Sequence, residues 1–416
     1  MSDEHAPTQT PATSDATSDA TSPRPSRVAI ERVRQEDASP EAIHQAVRQA
    51  LHATAAFDEA VRAGRRVFLK VNLVTNASRD EGICTDPEVV RAVIEEVLAR
   101  GATPIVGDNP AVASTKSVLK SSGIGAVVES FGLEVPSLSE TATLRCARAE
   151  RFNAFEVSRA ILDADVLINL PKLKTHSLTY MSMAMKNLFG LIPGTRKARW
   201  HVRAPHADLM ATLFADLYSG VVDHFTAQGR GLIHLCDGVI ALEGDGPGHG
   251  GKARFLGAIL ASSDGVALDR VGVDIAGLDF KRLTTLQKAT RRGLGEGCLN
   301  NIEITGAAIS DFAGVTLEEP AGGGMRIEGL GARLANQRWL RDLMIDHPEL
   351  TADLCVGCRR CAEICPVGAI TFVGEGANAR PAFDKRPCIR CYCCAEVCPK
   401  GAIAKSRVPW LGRLLG

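Results

Sequence analysis

Short apolar runs rich in β-branched residues alternate with amphipathic stretches along the middle of the chain. Such alternation is typical of β–α units, and it predicts an α/β fold whose largely parallel sheet is flanked by helices. The predicted strands are 66–74, 103–107, 166–170, 231–236 and 256–262, with a weaker candidate at 301–305. After the first strand, Asp86 and Pro87 offer an N-cap and a first helical residue, and they predict a helix that ends at Arg100 before Gly101.

Polar side chains collect just beyond the predicted strand ends, where open α/β sheets usually bind ligands. The densest group runs from Asn169 to His176, and Lys186 and Asn187 follow on a predicted helix. Lysines at this edge could clamp a carboxylate or a phosphate, and His176, with an ordinary pKa of ~6.5, is a candidate general acid. A solvated lysine surface and a hydrogen-bonded structural histidine are the alternatives.

These positions give two groups of candidate site residues. The predicted catalytic residues are His176, Lys174, Lys172, Lys186 and Asn187. The predicted substrate-binding residues are Lys70, Asn72, Asp108, Arg196, His201, Asp237, Glu243 and Asp245. The last three belong to a glycine-rich segment, 237–251, whose backbone could approach a ligand closely or could form a structural hairpin or crossover loop.

Near the C-terminus, two matching cysteine runs follow one another. The pattern Cys-x-x-Cys-x-x-Cys-x-x-x-Cys-Pro begins at Cys355 and recurs 33 residues later at Cys388, which indicates an internal duplication. In two-cluster iron–sulfur modules the fourth cysteine of each run ligates the other cluster. The predicted ligands are Cys355, Cys358, Cys361 and Cys398 for one 4Fe-4S cluster, and Cys388, Cys391, Cys394 and Cys365 for the second. Structural zinc fits this spacing poorly, and Cys393 is expected to be a spare thiol unless it replaces Cys394 as a ligand.

The charge balance and the hydrophobic pattern of the chain exclude some classes of function. The 416 residues contain 48 Lys plus Arg and 48 Asp plus Glu, so no general charge field favours a nucleic-acid partner. No export signal and no apolar run long enough to span a membrane are found, and labile clusters need reducing conditions, so a cytoplasmic location is expected. The predicted organisation is a disordered tail (1–26), an α/β domain (27–345), a small α+β ferredoxin-like iron–sulfur domain (346–405) and a C-terminal tail (406–416).

Several ordered motifs also resemble a known family. The motifs are Lys70-Val71-Asn72-Leu73, Gly107-Asp108, the segment 169–176, Lys186-Asn187-Leu188-x-Gly190, and Asp237-Gly238 with 243–247. They are similar to the family catalogued as domain of unknown function 362, over residues ~65–280, while residues ~346–405 resemble the bacterial two-cluster ferredoxin. The resemblance implies an iron–sulfur protein with a ferredoxin-like module, and it implies no particular reaction.

Together these features predict a ferredoxin-dependent reductase that passes electrons through two 4Fe-4S clusters to a small anionic substrate. The expected partners are that substrate and an electron donor, which would be a ferredoxin, a flavodoxin or a reductase. The alternative is a non-enzymatic electron carrier or assembly factor whose docking patch is formed by Lys172, Lys174 and Arg196. Because the connecting segment 339–347 is short and partly apolar, we expect at least one cluster to lie close to residues 172–186.

Overall fold

A computed structural model of the chain describes residues 25–321 and 347–405. The first range folds as an α/β domain. Its strands are β1 (Arg27–Arg32), β2 (Arg66–Lys70), β3 (Thr103–Gly107), β4 (Thr141–Arg145), β5 (Ala154–Ser158), β6 (Val166–Asn169), β7 (Lys172–His176), β8 (Tyr180–Ser182), β9 (Gly231–Gly244), β10 (Gly251–Ser262) and β11 (Glu303–Gly306). Its helices are α1 (Pro40–Ala53), α2 (Ala56–Ala60), α3 (Pro87–Ala99), α4 (Thr115–Ser122), α5 (Ile124–Ser130), α6 (Arg159–Leu162), α7 (Ala184–Asn187), α8 (Arg196–Arg203), α9 (Ala207–Thr226), α10 (Gly265–Ile275) and α11 (Thr284–Arg291).

One mixed sheet of nine strands organises this domain. Its main path has the order β11-β1-β10-β9-β6-β2-β3, and β7 and β8 extend it beside β9. The pairs β2/β3, β2/β6, β6/β9, β7/β9 and β1/β11 are parallel, whereas β1/β10, β9/β10 and β7/β8 are antiparallel. The predicted α/β class with a largely parallel sheet is therefore confirmed.

Strand residues that alternate between two apolar cores place the sheet between two layers of helices. Along β2, Val67 and Leu69 face the core that contains α1 and α3, whereas Phe68 faces the core that contains α9, α10 and α11. Strands buried on both faces are apolar throughout, which is why these runs could be recognised as strands in the sequence. Helix α3 starts as predicted, since the Asp86 side chain accepts a hydrogen bond from the Glu88 backbone N–H.

The structure differs from the prediction around the polar group. The sequence places residues 172–176 after a strand, but Lys172–His176 is itself the buried strand β7, which pairs in parallel with β9 and forms a hairpin with β8. Strand β9 also continues to Gly244 instead of ending at Cys236. The glycine-rich segment is thus an antiparallel hairpin between β9 and β10, and Asp237 lies within a strand instead of beyond its end.

The C-terminal domain repeats one small unit. Its strands are β12 (Pro348–Leu350), β13 (Ile370–Val373), β14 (Arg380–Phe383) and β15 (Ile403–Lys405), and its helices are α12 (Arg360–Ile364) and α13 (Cys393–Glu396). Strand β12 pairs with β15 and β13 with β14, both antiparallel. Arg359 and Tyr392, which precede the two helices, have left-handed φ angles of 62° and 58°. The duplicated cysteine pattern therefore has a duplicated backbone conformation.

Some predicted segments lie outside the described residues. They are residues 1–24 of the predicted N-terminal tail, the C-terminal tail 406–416 and almost all of the connecting segment 339–347. Within the two described ranges, no helix is both long enough and apolar enough to cross a membrane.

Candidate functional site

A buried ion pair joins the carboxyl ends of β2 and β3. Lys70 Nζ lies 2.7 Å from Asp108 Oδ1, and both side chains are almost completely buried. The second carboxylate oxygen of Asp108 accepts a hydrogen bond of 2.7 Å from the Leu73 backbone N–H. A Cβ atom at Gly190 would collide with both charged groups, so glycine allows the chain to cover the pair closely. This pair forms the base of the site.

A chain of amides continues from the pair across the strand ends. Lys174 Nζ donates to Asn72 Oδ1 at 2.6 Å, and Asn72 Nδ2 donates to Asn187 Oδ1 at 3.0 Å. Asn187 Nδ2 in turn donates to Asn169 Oδ1 at 2.8 Å. Because buried polar groups are costly unless they are hydrogen-bonded, this chain fixes each side chain in one orientation.

The second buried lysine of β7 has a different role. Lys172 Nζ lies 2.8 Å from Asp237 Oδ2, and this oxygen also accepts a hydrogen bond of 2.7 Å from the Asp86 backbone N–H. The pair joins β7 to β9 and to the start of α3. Burial raises the pKa of Asp237, and the charge of Lys172 opposes that rise.

A cavity opens above the amide chain, where the α/β domain meets helix α13 of the C-terminal domain. With its mouth the cavity has a volume of about 840 Å³. Its ionisable lining includes Lys174, His176, Lys186, Lys197, His201 and Glu396. We call it the lysine cavity.

Three lysines of this cavity have no acidic partner; Lys174 is fully buried, whereas Lys186 and Lys197 are partly buried. Within the described ranges, no carboxylate oxygen lies within 4.0 Å of Nζ of Lys174, Lys186 or Lys197. Burial lowers the pKa of Lys174 to about 7 and that of Lys197 to about 8, and it also lowers the pKa of Lys186. A bound anion would supply the missing negative charge, so the cavity favours small anions.

His176 and Glu396 meet across the two domains. His176 Nδ1 accepts a hydrogen bond of 3.0 Å from the Leu178 backbone N–H, so in the neutral ring Nε2 carries the proton. Nε2 lies 3.2 Å from Glu396 Oε1 without forming a well-aligned hydrogen bond. Burial and the charge of Lys186 lower the pKa of His176 to about 4, despite Glu396. Burial raises the pKa of Glu396, but contact with His176 and the charges of Lys186 and His201 outweigh it and lower that pKa to about 2.

Other contacts hold the C-terminal domain in this position. The hairpin turn between β9 and β10 approaches α13 so closely that a Cβ atom at Gly248 would lie 2.8 Å from the Glu396 carbonyl oxygen. Lys405 Nζ donates to the Ser177 carbonyl oxygen at 2.8 Å. Ala198 belongs to the same apolar cluster as Ile364. Cys393 and Glu396 of the second cysteine run therefore line the lysine cavity beside Lys174 and Lys186.

The C-terminal domain contains two cysteine-lined cavities of almost equal size, with about 330 and 320 Å³ of empty space when the part open to solvent is included. The first is lined by Cys355, Cys358, Cys361 and Cys398, and the second by Cys365, Cys388, Cys391, Cys393 and Cys394. Each cavity contains one of the predicted quartets, and the second also contains the predicted spare thiol Cys393.

The two cavities also have equivalent surroundings. The backbone N–H groups of Ala369 and Ala402 each donate to a cysteine sulfur, Cys365 and Cys398 respectively, at 3.2 Å. Burial raises the pKa of Cys361 to about 11, so its thiol stays neutral unless a metal ion replaces the proton. Four converging sulfurs, apolar walls and N–H···S bonds are features that suit an iron–sulfur cluster.

Comparison with known proteins identifies both parts of the chain. The family model described as "Domain of unknown function (DUF362)" matches residues 67–274, which is half of the chain. The chain belongs to this family. A second model, described as a 4Fe-4S dicluster domain, matches residues 354–402 and supports an iron–sulfur electron-transfer role. Both resemblances stated from the motifs are confirmed.

Similar proteins add little about the reaction of this DUF362 member. The thylakoid-associated protein sll1697 of Synechocystis sp. is 36% identical over 235 residues, which cover 56% of this chain and 70% of that protein. The lactate racemase apoprotein of Thermoanaerobacterium thermosaccharolyticum has a TM-score of 0.38 at 10% identity, over 61% of this chain and 57% of that one. A structural-genomics protein from Thermotoga maritima has a TM-score of 0.34 at 11% identity, over 61% of this chain and 59% of that one. The chain thus spans under two thirds of either solved structure.

The DUF362 domain brings together seven of the predicted site residues. Lining the lysine cavity are Asn72, Asp108, Lys174, His176, Lys186, Asn187 and His201. Lys70 lies beneath them, and the Lys172–Asp237 pair lies outside the lining. Glu243 and Asp245 accept backbone hydrogen bonds from Glu318 and Ala321 instead of facing the cavity.

Arg196 lines a wider neighbouring groove, where it donates a hydrogen bond to the Thr141 hydroxyl. That groove is larger than the lysine cavity, but its basic side chains, among them Lys116 and Lys120, are exposed. Exposed lysines are solvated and select ligands weakly. We therefore regard the lysine cavity as the candidate site.

Two charged residues of the cavity lining, Lys197 and Glu396, were not identified as site residues from the sequence. Lys197 is one basic residue among several in the polar helix α8, and nothing local marks it as buried. Glu396 has the same local sequence as its repeat partner Glu363, which is exposed. Only the docking of the second repeat on the DUF362 domain distinguishes the two glutamates.

Proposed function

We propose that the chain is an iron–sulfur oxidoreductase that reduces a small anionic substrate bound in the lysine cavity. One observation carries the proposal: the lysine cavity is bounded on one side by Lys174, Lys186 and Lys197 of the DUF362 domain and on the other by Cys393 and Glu396 of the second cysteine run. A cavity that joins an anion site to a cysteine-rich electron-transfer module is suited to reduction of its ligand.

The two cysteine quartets would hold two 4Fe-4S clusters, with the ligand sets predicted from the sequence. When bound, the clusters supply single electrons. Cys391 and Cys394 lie close in sequence to Cys393, which lines both the second quartet's cavity and the lysine cavity. This arrangement supports the second quartet as the one nearer to the substrate.

The residues of the DUF362 domain would bind the substrate and handle the proton. Lys186 and Lys197 place positive charge in a cavity of low polarity, where it attracts an anion more strongly than at a surface. Lys174 uses two of its three N–H groups for Asn72 and the Ile83 carbonyl oxygen, which leaves one for a ligand.

Lys174 is also the better proton donor. A general acid works best when its pKa is near the operating pH, and the pKa of Lys174 is about 7 whereas that of His176 is about 4. In this arrangement neutral His176 orients the substrate through its Nε2–H group, and the Glu396 carboxylate keeps that ring in place.

The alternative of a non-enzymatic carrier or assembly factor is weakened because the lysines of its suggested docking patch are buried. The suggested docking patch requires exposed lysines, but Lys172 and Lys174 are each only 1% exposed. Only Arg196 of that patch is accessible. Three lysines gathered in one cavity, of which Lys174 is fully buried, suit a small ligand better than a protein surface.

The remaining parts of the proposal concern the setting. An electron donor such as a ferredoxin, a flavodoxin or a reductase would reduce the C-terminal domain, and the cytoplasm provides the reducing conditions that cluster assembly needs. No nucleic-acid partner is proposed, because acidic and basic residues are equal at 48 each.

The experiment follows electrons from the reduced protein to small anions. The full chain is reconstituted anaerobically, reduced with dithionite, freed of excess reductant and mixed with panels of carboxylates and phosphate esters, and reoxidation is followed by absorbance. At least one anion should accelerate reoxidation, and Lys186→Met should slow that reaction by ~10² or more, the range expected for loss of a buried charge contact. The matched control is Lys252→Met, because Lys252 is 72% exposed on the surface.

Equal reoxidation by the two lysine variants would remove the lysine cavity from the reaction. If no anion in the panel accelerates reoxidation while the protein remains fully reducible, the oxidoreductase proposal is refuted for that class of substrate.

A further inference from the structure

Three potential metal ligands from both domains meet at one wall of the lysine cavity. A ring nitrogen of His201 and the sulfurs of Cys391 and Cys393 all lie within 4.8 Å of one another. His201 and Cys393 are buried, and Cys391 is partly buried. The histidine belongs to α8 of the DUF362 domain and the cysteines to the second cysteine run, so docking of the domains creates this group.

The cluster ligands alone do not account for the group. Cys393 is outside the two predicted quartets, yet its side chain is only 5% exposed. Its sulfur lies within 4.8 Å of the Cys391 sulfur, so the two thiols face the same place. Nδ1 of His201 is buried and has no hydrogen-bond partner. Buried polar atoms are rarely left unpaired, and a metal ion is one way to pair them.

We propose that His201, Cys393 and the Cys391 thiolate bind one transition-metal ion of the zinc(II) or iron(II) class beside the second cluster. Thiolate and imidazole donors select such ions over magnesium or calcium. Three protein ligands leave a coordination position open, which is the arrangement of catalytic metal sites. His201 and Cys393 both line the lysine cavity, so an anion bound there could occupy the open position.

Distances and charge are both compatible with an ion. Ligands of a tetrahedral zinc site are roughly 3.6 to 3.8 Å apart, so the three donors need to approach by at most ~1 Å. Two thiolates and the nearby Glu396 carboxylate carry negative charge, against the positive charge of Lys186. Cys391 would serve both the ion and the cluster as a bridging thiolate. The idea that a substrate anion occupies the open coordination position rests on the proposed function, whereas binding of the metal ion does not.

The test measures metal content and needs no substrate. The full chain is reconstituted with iron and sulfide, treated with a chelator to remove loosely bound iron, equilibrated with Zn²⁺ and desalted, and iron and zinc are counted. We expect one zinc per chain beyond the cluster iron, with X-ray absorption showing sulfur at ~2.3 Å and nitrogen at ~2.0 Å. His201→Phe and Cys393→Ala should each weaken zinc binding by more than ~100-fold, since even outer-shell partners contribute 10- to 100-fold.

The control is Cys298→Ala, which removes an exposed thiol outside both cysteine runs and should retain the zinc. Iron content must stay at the wild-type value in all variants. Absence of zinc from the wild-type chain, a wild-type zinc content in the two ligand variants, or loss of zinc from the control would each overturn the proposal. A halved iron content in Cys393→Ala would overturn it as well, because Cys393 would then be a cluster ligand. If His201→Phe fails to fold, Cys393→Ala decides alone.

Discussion

Replacing Glu396 by glutamine should loosen the contact between the two domains without disturbing the cysteine quartets. The carboxylate lies 3.2 Å from His176 Nε2 and near the positive charge of Lys186. Glutamine keeps the size and a polar end group but removes the charge. The change therefore tests how strongly the negative charge of this carboxylate holds the C-terminal domain against the lysine cavity.

The magnitude follows from the pKa of Glu396, which falls from 4.5 to about 2 in the folded chain. A shift of this size corresponds to ~3.4 kcal/mol in favour of the ionised form. That figure is an upper limit, because His176 with its pKa of about 4 is uncharged at neutral pH and the Glu396 side chain is 23% exposed. We expect ~1 to 2 kcal/mol, which is ~5- to 30-fold in the equilibrium between docked and undocked domains. Because the folded pKa is depressed, this stabilisation is complete above pH ~4.5 and is lost as the pH falls through about 2.

Amide hydrogen exchange of the reconstituted chain at neutral pH measures this equilibrium. Peptides that cover β7, β8 and α13 should exchange ~5- to 30-fold faster in Glu396→Gln, while peptides from β1 and α3 should not change. The matched control is Glu363→Gln, since Glu363 occupies the equivalent position of the first repeat and is exposed. Identical exchange in both glutamine variants would refute the idea that the Glu396 charge holds the domains together.

Further predictions concern the cavity and the clusters. Turnover should be constant below pH ~7 and fall about tenfold per unit above it, as Lys174 with its pKa of about 7 loses its proton. Lys174→Arg should lower turnover at every pH and remove that fall, because arginine stays protonated and is too weak an acid to donate its proton. Gly248→Val should lower turnover with unchanged iron content, because its Cβ atom would lie 2.8 Å from the Glu396 carbonyl oxygen and displace α13; unchanged turnover would contradict this contact. The reconstituted chain should contain about eight iron and eight sulfide, and Cys361→Ser should lose about half of each whereas Cys393→Ser loses none of the cluster iron.

Much of the fold was predictable because its signals are local. Strand β3 matches its predicted bounds, since a buried parallel strand is a continuous apolar run. The N-cap at Asp86 could be predicted because capping depends on residues within one helical turn. The cysteine quartets were likewise predicted from spacing alone, and each lines one of two cavities, the second together with Cys393.

The errors occur where distant residues decide the outcome. Strand β7 contains Lys172, Lys174 and His176, and no hydrophobic pattern predicts a fully buried strand with that sequence. It is stable there because Asp237 and Asn72, far away in the chain, pair with its lysines. A pattern of hydrophobic residues records burial of apolar groups, whereas buried polar groups depend on partners that the local sequence does not reveal.

The two cysteine repeats have the same local sequence pattern, but docking on the DUF362 domain gives them different surroundings. This difference indicates the direction in which electrons pass through the C-terminal domain. The second repeat is covered by the DUF362 domain, whereas Cys358 of the first repeat is exposed. Among the described residues, three of the five exposed large hydrophobic side chains lie near the first run, at Leu354, Val356 and Val373. Exposed apolar groups beside a redox site suit a transient protein partner, so an electron donor should dock at the first repeat. Val356→Glu should therefore slow reduction by a donor such as a flavodoxin by ~10-fold or more while reduction by dithionite stays unchanged. Equal slowing with both reductants would mean that the substitution damages the cluster site, and no slowing with either would place the donor elsewhere.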